Sequence, residues 1–237
     1  MSEKSKVVDW EKKGKELVKE MRASRDVAKL ERLADELINV FENTDSRFKE
    51  ARTAAYEIMD KSTMPYHNSE HAHRTERAAL ILAVKEGVEW EVLKLVCLSG
   101  AFHETGVLGG FADHEHRSML TAYREMEKAG YTDQESSLSG NIIAHGTRMP
   151  QMPRDLLEMI MADADLVALG TWDFFATKDL LRKECGVENE LEWNGTEIKF
   201  VENHTWHTKA AKELFGKQQD KNLMWLRSER NVLLGIA

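Results

Sequence analysis

The chain has 237 residues, with 33 Lys and Arg against 41 Asp and Glu and a formal net charge of −8. That length suits one domain with a full hydrophobic core, and the acidic balance argues against a broad nucleic-acid-binding face, so no nucleic-acid duplex is expected as a partner and any phosphate site must be local. Two cysteines, Cys97 and Cys185, form no CxxC pair and read as reduced thiols, which points to the cytoplasm. Lys94 and His103 interrupt the most apolar run and the N-terminus carries no signal-type apolar stretch, so no membrane partner is expected.

Residues 1–62 contain no proline and repeat apolar positions at helical spacing: Val8, Leu17 and Met21, then Leu30, Leu33, Leu37 and Val40. Ser24 or Asp26 caps the second of these helices. Residues 1–45 read as a helical extension packed on its own domain, residues 46–237, with a homodimer contact as the other use of its face. Asp45 to Asp60 reads as a helix with Phe48, Ala51, Ala55 and Ile58 on one side. Pro65 suits a helix start, giving a helix that carries His67 to about Glu86 and stops at Gly87. His67 and His71 are four apart, roughly 400° around a helix or about 40° net, so they share a face.

The next helix, Glu89 to Glu104, ends on the adjacent pair His103-Glu104, which breaks the apolar series Val92, Leu93, Leu95, Val96, Leu98 and Phe102. Imidazole and carboxylate groups are costly to bury without partners, and a divalent ion would satisfy them. The loop with Gly106, Gly109 and Gly110 is expected to bring backbone close to whatever the pair holds, forming a rim. Helices follow over His114 to Ala129, Gln134 to His145 and Asp155 to Leu169, punctuated by Gly130, Gly146, Pro150, Pro153 and Gly170. Around Asn194-Gly195, residues 191–200 read as a small β-hairpin. A last helix runs through Leu226. There is no internal repeat, and the alternation of helices and breakers predicts an all-α fold.

Asp163 and Asp165 are two apart, about 200° around a helix, so only one of them can face an ion. Their apolar neighbours do not decide between them. His145 beside Gly146 would also serve as a cation at a helix C-terminus, and His114 as a hydrogen-bonding helix-start residue.

These residues carry a resemblance. Tyr66-His67-Asn68, His71, the doublet His103-Glu104 and the later Ala162-Asp163-Ala164-Asp165 resemble the HD superfamily of metal-dependent phosphohydrolases, over roughly residues 50 to 225. The family's doublet is His-Asp, and here it reads His-Glu.

The resemblance implies an HD-like helical bundle whose metal ligands are His71, His103, Glu104 and Asp165. His114 and His145 would be added in a two-metal site, where Glu104 bridges the ions. It favours Asp165 over Asp163, leaving Asp163 to orient a ligand histidine. It implies attack of a metal-bound water on a small phosphate ester such as a nucleotide, with His67 donating a proton to the leaving oxygen. Nitrogen and carboxylate donors without thiolate suit Mn, Fe, Zn or Mg, as one or two ions. Arg74, Arg148, Arg182 and Lys217 are candidate phosphate-binding residues. Two other functions remain consistent with the same ligand order. One is a dinuclear-iron oxygenase, and the other is a nucleotide-binding regulatory module weakened by the glutamate.

Overall fold

The computed structural model describes residues 8–236. Among them are eleven α-helices, two short 3₁₀ helices and no strand, so the fold is all-α as expected.

Helices α1 (Trp10–Ala23) and α2 (Val27–Thr44) begin at Asp9 and Asp26, whose carboxylates accept from Lys12 N and Lys29 N. The expected boundary at residue 45 does not interrupt the packing. Phe41 of α2 meets Phe48 of α3 (Ser46–Met59) and Trp90 of α5 (Trp90–Phe102) at ring distances of 5.3 and 5.1 Å. Lys85 Nζ donates to the carbonyls of Arg22 and Ser24, which ties α4 (Ser69–Lys85) to the end of α1. Truncating Phe41 or Phe48, both fully buried, would cost about 3–5 kcal/mol.

At the centre lie α4 and α5. Gly100 of α5 packs on α4 so closely that a Cβ there would sit 2.6 Å from Glu76 Cα, and this approach brings the starts and ends of the two helices together around the histidines. The segment Trp90–Gly109 is long and apolar enough to cross a membrane by length and composition, Lys94 and His103 notwithstanding, but 78% of it is buried as core. α6 (His114–Lys128), α7 (Asp133–Gly146) and α8 (Leu156–Asp165) complete the bundle. α7 opens with a capping box between Thr132 and Glu135.

After a 3₁₀ turn at Val167–Gly170, α9 (Phe174–Glu184), α10 (Glu190–Asn203) and α11 (Lys209–Leu233) build a second, smaller core of Leu169, Phe174, Val201 and Leu226. Here the hairpin expected over 191–200 is wrong: the residues are helical. Asn189 caps α10 through Leu191 N and Glu192 N, and the buried positions Asn194, Glu197 and Val201 follow helical spacing. The Asn-Gly pair serves packing instead of a turn. Asn194 donates to Leu226 O, and Gly195 leaves room for Arg230, whose Nη1 would lie 2.8 Å from an added Cβ.

The start of α4 also differs from expectation. Pro65, Tyr66 and His67 precede the helix, and Asn68 is the cap, accepting from Glu70 N and His71 N while donating to Pro65 O. Asx capping outcompetes proline as the start signal here because it satisfies two otherwise orphaned N–H groups.

Candidate metal centre

The end of α5, the first turn of α4 and the last residue of α8 meet at one point. His71 Nε2 lies 3.2 Å from His103 Nε2 and 3.2 Å from Asp165 Oδ1. His103 Nε2 lies 3.4 Å from both Asp165 Oδ1 and Glu104 Oε1, and His71 Nε2 is 3.9 Å from Glu104 Oε1. One donor atom from each of the four residues falls within a 4.8 Å span.

The donor set fits a divalent ion. Two imidazole nitrogens at 3.2 Å with two carboxylates beside them match the edges of a coordination shell, since ligands about 2.0–2.2 Å from one ion sit roughly 2.9–3.5 Å apart. His103 Nδ1 donates to Gly100 O at 2.8 Å, which fixes the tautomer and leaves the Nε2 lone pair facing the cluster. Glu104 Oε2 is buried with no hydrogen-bond partner.

Burial and mutual charge set the protonation states. Burial pulls His71 down to about 4 against the pull of Asp165. Burial opposes charge on His103 as well, but its hydrogen bond to Asp165 and the charge of Glu104 outweigh burial and raise it. For Asp165, burial is overcome by His103 and His71, which hold the carboxyl well below the usual carboxylate range. Glu104 is likewise lowered, burial being outweighed by His103 and His114. The result is two ionised carboxylates facing the imidazoles; a cation bound there would take the place of the proton that His103 holds.

His114 stands next to the cluster, its Nε2 3.7 Å from Glu104 Oε2 and its Nδ1 donating to Phe111 O. Its imidazole is raised to about 9, burial opposing and the Glu104 carboxylate prevailing. Gly106 makes this placement possible. It abuts the start of α6, where a Cβ would lie 2.1 Å from His114 O, and its N–H donates to Ser118 Oγ. The glycine loop therefore packs α6 and does not form the rim expected of it. His145 is not gathered into the four-residue group. Its Nδ1 sits 3.0 Å from Asn141 O and 2.7 Å from Arg154 Nη2, beside Glu158.

Asp163 does not orient a ligand histidine. It accepts from His207 N, Thr208 N and Thr208 Oγ1, anchoring the entry to α11. Helical geometry allows only one of the two aspartates to face the ion, and the other was free for this structural work.

His71, Glu104 and Asp165 of the cluster line a 330 Å³ cavity together with Tyr66, His67 and His114. His67 is gripped by Glu184 of α9. The Glu184 carboxylate pairs with His67 Nδ1 and accepts from Tyr66 N and His67 N at 2.8 and 3.1 Å, and its side chain is 2% exposed. A carboxylate at a helix C-terminus is electrostatically disfavoured, so these bonds are what hold it there. Nothing in the sequence near His67 announces Glu184, which lies 117 residues away.

The four basic candidates do not line this cavity. Arg74 stands behind His71, 3.5 Å from its Nδ1, and lines a separate groove. Arg148 lies near Asp113, Arg182 is engaged by Glu188 O and Glu190, and Lys217 is exposed on α11. The cation that does line the cavity is Lys178, which sequence reasoning missed.

Comparisons with family models, curated proteins and solved structures return no match.

Proposed function

We propose that this chain is a metal-dependent phosphohydrolase of the HD type acting on a small phosphate ester. The single observation that supports this is the convergence of His71, His103, Glu104 and Asp165 from three separate helices beside a cavity that three of them line. The order of those residues along the chain, with Tyr66-His67-Asn68 ahead of them, is the order in which the superfamily carries its motifs. A divalent ion held there would supply positive charge for phosphoryl oxygens and a water acidic enough to ionise near neutral pH.

The chain's own residues account for the remaining work. His71, His103 and Asp165 would hold the ion, with Glu104 either completing the shell or reaching, together with His114, toward a second one. His67 lines the cavity with Nδ1 committed to Glu184, which leaves Nε2 to deliver a proton to the leaving oxygen. Glu184 is a positioning residue: it fixes both the backbone and the ring of His67. Phe111, whose ring lies 5.2 Å from that of His67, closes the apolar side of the imidazole.

The test is metal analysis of the purified chain followed by a phosphatase and phosphodiesterase panel. Mn²⁺ or another divalent ion is expected to support phosphate release, and His103→Ala to lose both ion and activity. Full activity in excess chelator would overturn the proposal. Coloured, iron-loaded protein that consumes oxygen would move the site to the oxygenase class. Metal and nucleotide binding without turnover, with hydrolysis regained in Glu104→Asp, would make it a regulatory module.

A further inference from the structure

The cavity beyond the cluster is walled by the C-terminal helices, and its chemistry is uneven. Leu169, Phe174, Leu181, Phe200 and Val201 give most of its surface an apolar character. Polar groups gather on one face of α10, where Trp193 and Glu197 are one helical turn apart and both line the cavity.

Two of these groups have unmet hydrogen-bonding capacity. Trp193 Nε1 and Glu197 Oε2 are buried without a hydrogen-bond partner. Among the described residues, Glu104 Oε2 and Glu197 Oε2 are the two buried carboxylate oxygens left in that state, and both residues border the same cavity. An unmet donor and acceptor in an apolar surround are costly to leave desolvated, a cost that a ligand can relieve.

Glu197 is only loosely held by its neighbours. Lys178 Nζ bonds both oxygens of Glu229, at 3.1 and 3.0 Å, and stands 3.7 Å from Glu197 Oε2. Asn194 also donates to Glu229, so Glu229 is fully engaged and Glu197 is the spare carboxyl. Burial pushes the Glu197 carboxyl up to about 7, partly offset by Lys178 and by the Trp193 indole N–H, which faces this carboxyl one helical turn away without reaching hydrogen-bond geometry. The group that satisfies this pair must accept from an indole N–H and donate to a carboxyl oxygen. A hydroxyl does both, whereas an ammonium offers no acceptor.

We infer that the substrate is the phosphate ester of an apolar alcohol bearing a second, distal hydroxyl, with its hydrocarbon body against the α9–α10 wall and the hydroxyl read by Trp193 and Glu197. A nucleobase, with several polar edge atoms, would leave most of them unpaired against that wall. The inference rests on the phosphohydrolase reading for the phosphate end alone, and the distal end is tested separately.

For the distal end, calorimetry of the full chain with α,ω-alkanediols and matched n-alkanols of increasing length reports on the α10 site without any phosphate. At one chain length the diol is expected to bind at least tenfold tighter than the alkanol, and Trp193→Phe and Glu197→Leu to abolish that difference while alkanol binding persists. Trp193→Phe removes the N–H while keeping an aromatic ring in the wall, so it guards against a folding defect in the other variant. Equal binding of diol and alkanol, absence of binding by either, or tighter binding of the ω-amino alcohol would overturn the inference. For the phosphate end, Mn²⁺-loaded protein is expected to hydrolyse the ω-hydroxyalkyl phosphate with kcat/KM at least tenfold above the n-alkyl phosphate. A preference for nucleoside phosphates would overturn the substrate class. Selective diol binding without hydrolysis of any ester would leave the α10 site standing and remove the phosphohydrolase reading.

Discussion

The bundle of α1–α8 and the cap of α9–α11 bury charge in opposite ways. In the bundle, Glu76 is fully buried and fully satisfied. Arg52 grips it through Nε and Nη2 at 2.7 and 2.9 Å, Tyr56 OH donates at 2.7 Å, and Arg52 Nη1 continues to Glu42. Burial alone would raise the Glu76 carboxyl, but His73, Arg52 and Tyr56 together bring it down. In the cap, Glu197 has a lysine nearby and still keeps an oxygen unbonded, on a wall where the Trp193 indole N–H is also unbonded. A satisfied buried charge holds helices in register, whereas an unsatisfied one beside a cavity marks a place for something else.

That contrast can be broken or sharpened by experiment. The largest effect is expected at Glu76→Ala, which strands Arg52 in the bundle and should cost about 3–5 kcal/mol in denaturant unfolding. A cost below about 1 kcal/mol would show that the network is dispensable. Next comes the cluster. A divalent ion at a thousandfold its dissociation constant should stabilise the chain by about 4 kcal/mol, read as a rise in Tm that is absent in His103→Ala. Smaller again is Glu184→Gln, which keeps an acceptor but loses charge. It should lower kcat about 10- to 100-fold with KM little changed, and an unchanged kcat would remove Glu184 from the positioning role.

The smallest effect is in the cap and depends on pH. Glu197, at about 7 in the folded chain against 4.5 ordinarily, holds a proton that the unfolded chain releases between those values. Its contribution to stability therefore falls as pH rises from 4.5 to 7 and is flat above. Glu197→Gln should erase that slope. The full shift would make it about 2.5 kcal/mol more stable relative to the parent at pH 8 than at pH 5, and relaxation around the partly open site should leave about 1 kcal/mol of this, roughly 2–4 °C in Tm.

Much of the bundle is legible along the chain because its helices are long and strongly periodic. Asp26, Asp45 and Thr132 cap them through local hydrogen bonds that leave a trace in the sequence. His103 and Glu104 stand out because they interrupt an apolar run, whereas His71 is marked by its spacing from His67 and Asp165 by the resemblance alone. The cap was harder to read. Asn194-Gly195 carries a local turn signal, but the buried Asn194 side chain and the space that Gly195 gives Arg230 turn it to helix packing. The basic candidates were chosen by charge alone, and charge does not reveal which arginines face solvent or another carboxylate.

The order of residues thus determined the all-α class and many of the helix bounds and marked His103 and Glu104 as polar groups in an apolar helix, since periodicity, caps and the cost of burying imidazole and carboxylate act locally. Tertiary structure decided which aspartate meets the histidines, that Glu184 holds His67, and that Trp193 and Glu197 face the same cavity as the cluster. Those relations join positions more than a hundred residues apart or depend on which side of a helix is covered, and neither is fixed until the helices have packed.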